Sequence, residues 1–262
     1  MSSEYYTAKE AMQILNKPST TFYREVGQGL IPHVGKRPRM RFPKEAIDAL
    51  AEVGDFVPGN GLVFEASTIA DAWTKQEITR QPYEDEDAVP FKTVLEWRKM
   101  NNDISMHIKD ENKLVGWVTF LPLDEKVIHS LIENKLREKD IPPQAIKKWT
   151  DRQISVYIPI IEVVPSGNEQ RDKDRGAFLI KKAIRWAITL MIQHDIKNWY
   201  AIGTTTDGQN LLEALGFTEI ASLEEGQRKG YLLETKVKQV KLISKIMEEM
   251  EGVSESQTSQ EN

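Results

Sequence analysis

Ser19-Thr-Thr-Phe-Tyr-Arg24, followed by Gly35-Lys-Arg-Pro-Arg-Met-Arg-Phe42, decides how the N-terminal part of the chain is read. Asn16-Lys17-Pro18 breaks any helix before it, and Ser19-Thr20-Thr21 starts a new one. Phe22 and Val26 stand i, i+4 and make one packing edge. That leaves Ser19, Thr20, Tyr23 and Arg24 turned away from the contact. Gly27 and Gly29 end the helix. Upstream, Thr7-Ala8-Lys9-Glu10 is a capping box, opening a helix with Ala8, Ala11, Met12 and Leu15 on one face. Downstream, residues 30–34 and 40–42 read as two short strands around the basic turn Gly35-Lys36-Arg37-Pro38-Arg39. A helix over 43–50 follows, with Pro43 in its first turn.

The charge distribution singles out the same stretch. The 262 residues carry a formal net charge of −5. Residues 1–56 nevertheless hold a net +1, and positions 26–44 contain Lys36, Arg37, Arg39, Arg41 and Lys44 with no acid. A basic strip on an acidic chain points to one anionic partner bound at one end. The chain has no Cys, which excludes disulfides, thiol nucleophiles and Cys-ligated metal. Its four His (33, 107, 129, 194) show no metal-ligand spacing, so no metal is expected. No apolar run reaches membrane-spanning length, and the opening MSSEYYTAKE is too polar for a signal peptide. The expectation is a cytoplasmic protein with no membrane partner.

Gly54, Pro58, Gly59 and Gly61 crowd together as a linker. The chain is therefore divided into a head over 1–54, a linker over 55–62, an α/β domain over 63–235, an amphipathic helix over 236–252 and a polar tail over 253–262. In the α/β part, residues 105–109 and 114–123 read as strands joined by the turn 110–113. Helix 124–136 follows, then strand 154–164, and then helix 176–194, whose Leu179, Ile180, Ala183, Ile184, Ala187, Leu190 and Met191 keep one period. Strand 198–203, a helix over 206–215 capped by Thr206, and strands 216–220 and 230–234 complete the order. In the last helix Val240, Ile243, Met247 and Met250 form a short heptad seam. Its basic-to-acidic charge order suits an antiparallel homodimer, and packing on its own domain is the alternative. The acidic run 84–87 reads as a solvated loop.

The head resembles the MerR/excisionase type of DNA-binding domain. The pattern is Tyr-Thr-x-x-Glu-Ala, Thr-x-Tyr-Arg, Gly-x-Ile-Pro-His and Gly-Lys-Arg-x-Arg-x-x-Phe over residues 4–52. The resemblance implies a winged helix-turn-helix on double-stranded DNA, with the second helix in a major groove and the wing on the adjacent backbone. Candidate DNA contacts are Ser19, Thr20, Thr21, Tyr23, Arg24, His33, Lys36, Arg37, Arg39 and Arg41. The α/β part resembles the Gcn5-related N-acetyltransferase (GNAT) family over residues 62–234. The pieces carrying this are Gly116-Trp-Val after a charged turn, the strand-to-helix joint from Val163 to Leu179, and Leu211–Phe217. The fold class expected is thus α+β: a winged helix-turn-helix joined to a GNAT-like α/β domain with a C-terminal helix.

The GNAT resemblance implies an acetyl-CoA or other acyl-CoA site at Val163, Val164, Arg171, Lys173, Asp174, Arg175, Gly176 and Ala177. There the family reads Arg/Gln-x-x-Gly-x-Gly/Ala, and backbone N–H groups at a helix start hold the pyrophosphate. Arg171 and Gly176 match. Asp174 replaces the first glycine, where its carboxylate obstructs the approach and competes for the donors. Leu212 stands where the family often has a Tyr that protonates the leaving thiolate. Glu162 is the one candidate base for an acceptor amine. Two functions stay open on these residues: a DNA-binding regulator whose body is a sensor or dimer platform, and an acyl-CoA-dependent N-acetyltransferase with a DNA-binding head. The first is favoured, because the head keeps its matches and the body has lost chemistry-bearing residues.

Overall fold

The computed structural model describes residues 5–27, 31–36, 38–52, 61–79, 88–223 and 226–235. The expected linker over 55–62 lies mostly outside these residues. Arg37, Gly29, the acidic run 84–87 and the helix over 236–252 lie wholly outside them. The chain divides into two compact units. One is Met1–Val57 with Lys181–Gln193 and Lys236–Asn262, and the other is Pro58–Ile180 with His194–Thr235.

In the head, strand β1 (Tyr5–Tyr6) leads into α1 (Ala8–Ile14), and α2 (Ser19–Gly27) follows. Strand β2 (Phe42–Pro43) pairs antiparallel with β1, and α3 (Lys44–Glu52) closes the unit. The capping box forms as read: Glu10 N donates to Thr7 Oγ1 at 3.3 Å and Thr7 N to Glu10 Oε2 at 2.7 Å. Ala11, Leu15, Phe22, Val26, Ile31, Phe42, Ile47 and Leu50 make the small core. Within it Lys17 and Glu25 form a buried ion pair at 3.1 Å.

The two strands expected around the basic turn shrink to a single bridge, Val34 with Arg41. Val34 N donates to Arg41 O at 2.8 Å and Arg41 N to Val34 O at 3.0 Å. Gly35 turns the wing at φ +80°, and a Cβ there would meet the Arg39 carbonyl oxygen at 3.0 Å. The partner of Phe42 is the N-terminal Tyr6, not residue 34. Pro43 belongs to that strand, and the helix begins one residue later.

The larger unit is a seven-stranded sheet in the order β3-β4-β5-β6-β7-β9-β8. The strands are β3 (Val63–Ala66), β4 (Ser105–Asp110), β5 (Lys113–Leu123), β6 (Ile154–Val163), β7 (Ile196–Gly203), β8 (Thr218–Leu223) and β9 (Arg228–Glu234). Helices α4 (Ile69–Thr79), α5 (Phe91–Met100), α6 (Glu125–Ile132), α7 (Glu169–Gln193) and α8 (Thr206–Ala214) fill the connections. This matches the α+β expectation and the strand order implied for the body. The final helix is capped by Thr205, whose side chain accepts from Gly208 N, rather than by Thr206.

Two features of β6 prepare the candidate site. The strand pairs with β5 along its length but with parallel β7 only from Ile154↔Ile196 to Ile158↔Ala201. Beyond that point residues 159–163 have no partner on the β7 side among the described residues. Pro159, which lacks an N–H, stands where the two strands part. A bulge lies at the same place, since Thr119 faces Ile160 while Leu121 faces Tyr157. The extra residue keeps Tyr157 and Glu162 on one face of the sheet, together with Trp117, Tyr200 and Gly230.

The segment between β5 and β6 folds over that face. Trp97, Ile128, Leu131, Ile132, Ile141, Ala145 and Ile146 join Leu121, Leu123, Tyr157 and Tyr200 in one buried cluster. The approach is close: a Cβ on Gly230 would lie 2.6 Å from Ile132 Cγ2. Glu125 at the start of α6 ties the cover to the sheet. It accepts from Tyr200 Oη at 2.8 Å, Asn198 Nδ2 at 3.0 Å and Lys197 Nζ at 3.1 Å.

Candidate functional site

On the head, the candidate contact residues other than Arg37 are among the described residues. Phe22 and Val26 are buried, and Ser19, Thr20 and Arg24 are exposed on the rest of α2. Thr21 and Tyr23 are half-buried. The Tyr23 ring meets Phe22 edge-on at 5.4 Å between centroids. Arg24 is in no ion pair among the described residues: Glu25 is taken by Lys17, and Glu10 by Thr7. Lys36, Arg39 and Arg41 are exposed along the wing. His33 is half-buried with its ring 6.3 Å from Phe42.

In the sheet unit, a polar cluster gathers at the opening between β6 and β7. Trp117 and Glu162 are register partners across β5 and β6. Trp117 Nε1 and Glu162 Oε2 are both buried without a hydrogen-bond partner among the described residues. Lys75 on α4 holds its Nζ 5.4 Å from the centroid of the Trp117 ring. Tyr157 donates to Glu138 Oε1 at 2.6 Å, and Arg228 adds its charge to that pair. Burial pushes the Glu162 carboxyl above its ordinary range, against the pull of the Lys75 charge and of the Trp117 indole N–H. Burial also raises Glu138, opposed by the Tyr157 hydrogen bond and by Lys75. Lys75 is drawn down to about 8 by burial, with Glu162 and Glu138 opposing. Of these residues the sequence singles out Glu162 as a candidate base; Tyr157 shares its strand, while Lys75, Trp117, Glu138 and Arg228 come from four other places in the chain, and no spacing signals them.

The joint after β6 departs most from expectation. Helix α7 begins at Glu169 rather than Gly176, so the segment 171–177 is helix interior and not a loop. From Lys173 onward its N–H groups are spent on carbonyls four residues back. At the true start, Arg171 N donates to Asn168 Oδ1 and Asp172 N to Asn168 O, each at 3.0 Å. The Asp172 carboxylate turns back onto Ser166 N with both oxygens at 3.0 Å. Arg171 and Arg175 share one oxygen, Asp110 Oδ2, at 2.7 and 2.8 Å. Lys173 pairs with Glu169, and Asp174 accepts from Gln170. Gly176 has open space around a would-be Cβ. Val163 faces Gly116 in the β5–β6 ladder, and Val164 N donates to Val115 O at 2.9 Å.

Residues 5–52 match the family model of a helix-turn-helix domain. The head is a helix-turn-helix module. No curated protein matches the chain. Among solved structures, Ard1 from Thermoplasma volcanium is 10% identical, covering 67% of this chain and 99% of its own, with a TM-score of 0.44. Mosquito arylalkylamine N-acetyltransferase like 5b is 13% identical, covering 67% and 100%, also at 0.44. Salmonella typhimurium yncA, whose structure holds acetyl-CoA, is 14% identical, covering 68% and 95%, at 0.43. The chain thus carries a helix-turn-helix head and, after it, the seven-stranded sheet unit.

The sheet unit offers an acyl-CoA only part of what the GNAT resemblance implies. Residues 159–163 have no strand partner on the β7 side among the described residues. The pyrophosphate grip is absent. Its amides are spent within α7, its two arginines are held by Asp110, and Glu169, Asp172 and Asp174 make the helix start acidic. Arg171, Lys173, Asp174, Arg175, Gly176 and Ala177 lie inside α7 rather than in the loop that the resemblance implies for the diphosphate. Among the described residues no group of His, Asp and Glu could hold a metal ion, and no helix is long and apolar enough to cross a membrane.

Proposed function

We propose that the chain is a sequence-specific DNA-binding transcription regulator of the cytoplasm, whose GNAT-like unit serves as a sensor or dimer platform without efficient catalysis. The observation that carries it is the free guanidinium of Arg24 beside the exposed hydroxyl of Thr20, i, i+4 on the face of α2 opposite the buried Phe22 and Val26, with Ser19 exposed at the helix start. Set in a major groove, that face presents a bidentate donor for guanine O6 and N7 and small hydroxyls for neighbouring base edges. Lys36, Arg37, Arg39 and Arg41 neutralise phosphates and fix the register, and His33 lies at the foot of the wing. A homodimer through residues 236–252 would place two such heads on paired half-sites.

Selection from a pool of randomised duplexes tests this reading. One enriched motif, lost in the Arg24→Ala variant, is the expected result. Retention of duplexes without enrichment would contradict sequence-specific recognition.

The second reading, an acetyl-CoA-dependent N-acetyltransferase with a DNA-binding head, is favoured by Glu162. Its carboxylate lies at the parting of β6 and β7 with one buried oxygen unpartnered. Calorimetry with acetyl-CoA separates the two. No saturable heat at millimolar ligand is expected, and tight binding would favour the enzyme.

A further inference from the structure

The polar cluster of the sheet unit contains an amine held like a reactant. Lys75 Nζ lies over the Trp117 ring and forms no ion pair within 4.0 Å among the described residues. Trp117 is the register partner of Glu162, so the amine stands on the face that carries that carboxylate. Glu162 Oε2 is buried and makes no hydrogen bond of ordinary length among the described residues, and the neighbouring Trp117 indole N–H draws on the same carboxyl. Lys75 and Glu162 are each half-buried. Other basic groups of this unit are engaged differently. Lys109 is held by Glu65 and Asp71, Lys197 by Glu125 and Lys229 by Glu219.

We propose that Lys75 is an N-acylation site, which takes the acyl group of a small activated donor (a thioester or an acyl phosphate) with Glu162 as the proton acceptor. The Nζ lone pair forms the new C–N bond to the donor carbonyl. The C–S or C–O bond to the leaving group breaks with its electron pair. The amine proton passes to Glu162 and from there to the departing thiolate or phosphate. No diphosphate grip is needed, so the missing loop at 171–177 does not stand in the way. With its pKa drawn down to about 8, half of this amine is neutral near pH 8, whereas an ordinary lysine is almost wholly charged there. Acylation removes the one cation set over Trp117 and leaves Glu162 and Glu138 without its opposing charge. This gives the sensor reading a chemical input, and it rests on that reading only for its consequence.

The test incubates the full chain at pH 8 separately with acetyl-CoA and with acetyl phosphate, and maps modified lysines by peptide mass spectrometry over time. Lys75 is expected to react about tenfold faster than the exposed Lys135 with at least one donor, and the arm that reacts names the donor. Glu162→Gln removes the proton acceptor but also a charge that holds the Lys75 pKa up, so its effect is read at pH 9, where the amine is mostly neutral in both chains and the ratio should fall; Lys75→Met should abolish modification of the mapped peptide. A ratio near one in the native chain, or a ratio unchanged by Glu162→Gln, overturns the proposal. Duplex affinity of the Lys75-acylated chain is read in parallel. An unchanged affinity would overturn the sensor reading while leaving the modification site intact.

Discussion

Arg175 Nη2 lies 2.8 Å from Asp110 Oδ2, and each side chain is about nine-tenths buried. The pair holds the helix that replaces the expected phosphate loop against the tip of β4. Hydrogen bonds from Arg175 and then Arg171 hold the Asp110 carboxyl below its ordinary range. Arg171 is largely exposed, so most of the energy belongs to Arg175. Asp110→Asn leaves that buried guanidinium with only its longer Asp172 contact at 3.8 Å, at a cost of about 3 kcal/mol. Chemical denaturation should show the loss near neutral pH. Because the folded pKa is depressed, the native pair's contribution is full above the ordinary carboxylate range. It fades as pH falls, so variant and native should converge in acid.

Two glycines separate a helix from a phosphate loop. Gly176 lies inside α7 with nothing near a would-be Cβ, so Gly176→Ala should stabilise the unit by up to about 1 kcal/mol through helix propensity. A loop glycine reserved for close approach of a ligand would give no such gain. Gly116 behaves oppositely, since a Cβ there would stand 2.8 Å from the Glu162 carbonyl oxygen. Gly116→Ala should cost about 2 kcal/mol by forcing β5 from β6. Thermal melts of the two variants should move in opposite directions.

Glu125 gives a pH signature of the cover. Burial raises its pKa, but hydrogen bonds from Tyr200, Lys197 and Asn198 outweigh this and hold it at about 2. The stabilisation is complete above the ordinary glutamate value and is lost as pH falls toward 2. Glu125→Gln should therefore be less stable than the native chain at pH 6, and the gap should narrow progressively below pH 4.5. A gap that is independent of pH would contradict the assignment.

The head should show a division of labour between specificity and charge. Arg24→Ala should mainly relax base preference. Replacing Arg37, Arg39 and Arg41 together should weaken all duplexes alike and flatten the slope of log affinity against log salt by about 2 to 3. Parallel titrations on a selected and a scrambled duplex distinguish these effects.

Much of this architecture is legible in local pattern. The capping box at Thr7, the i, i+4 pair Phe22–Val26 and the long apolar runs of β5 and β6 are local signals, and they appear as read. The start of α7 is not, because Glu169-Gln-Arg-Asp-Lys-Asp-Arg175 has no apolar period. It is helical through Asn168 as cap, the Glu169–Lys173 pair and the Gln170–Asp174 hydrogen bond. There the expected motif competed with polar helix chemistry, and the helix prevailed. The cluster around Lys75 is invisible for another reason. It depends on a bulge in β6, a cover that brings Glu138, and the register of β9, none of which has a local code.

The most direct measurement is fluorescence anisotropy of the full chain titrated onto a pool of labelled random duplexes, from dilute buffer to about 200 mM salt. The account predicts saturable binding in dilute buffer that falls steeply and linearly on logarithmic axes. Absence of binding at the lowest salt would contradict it.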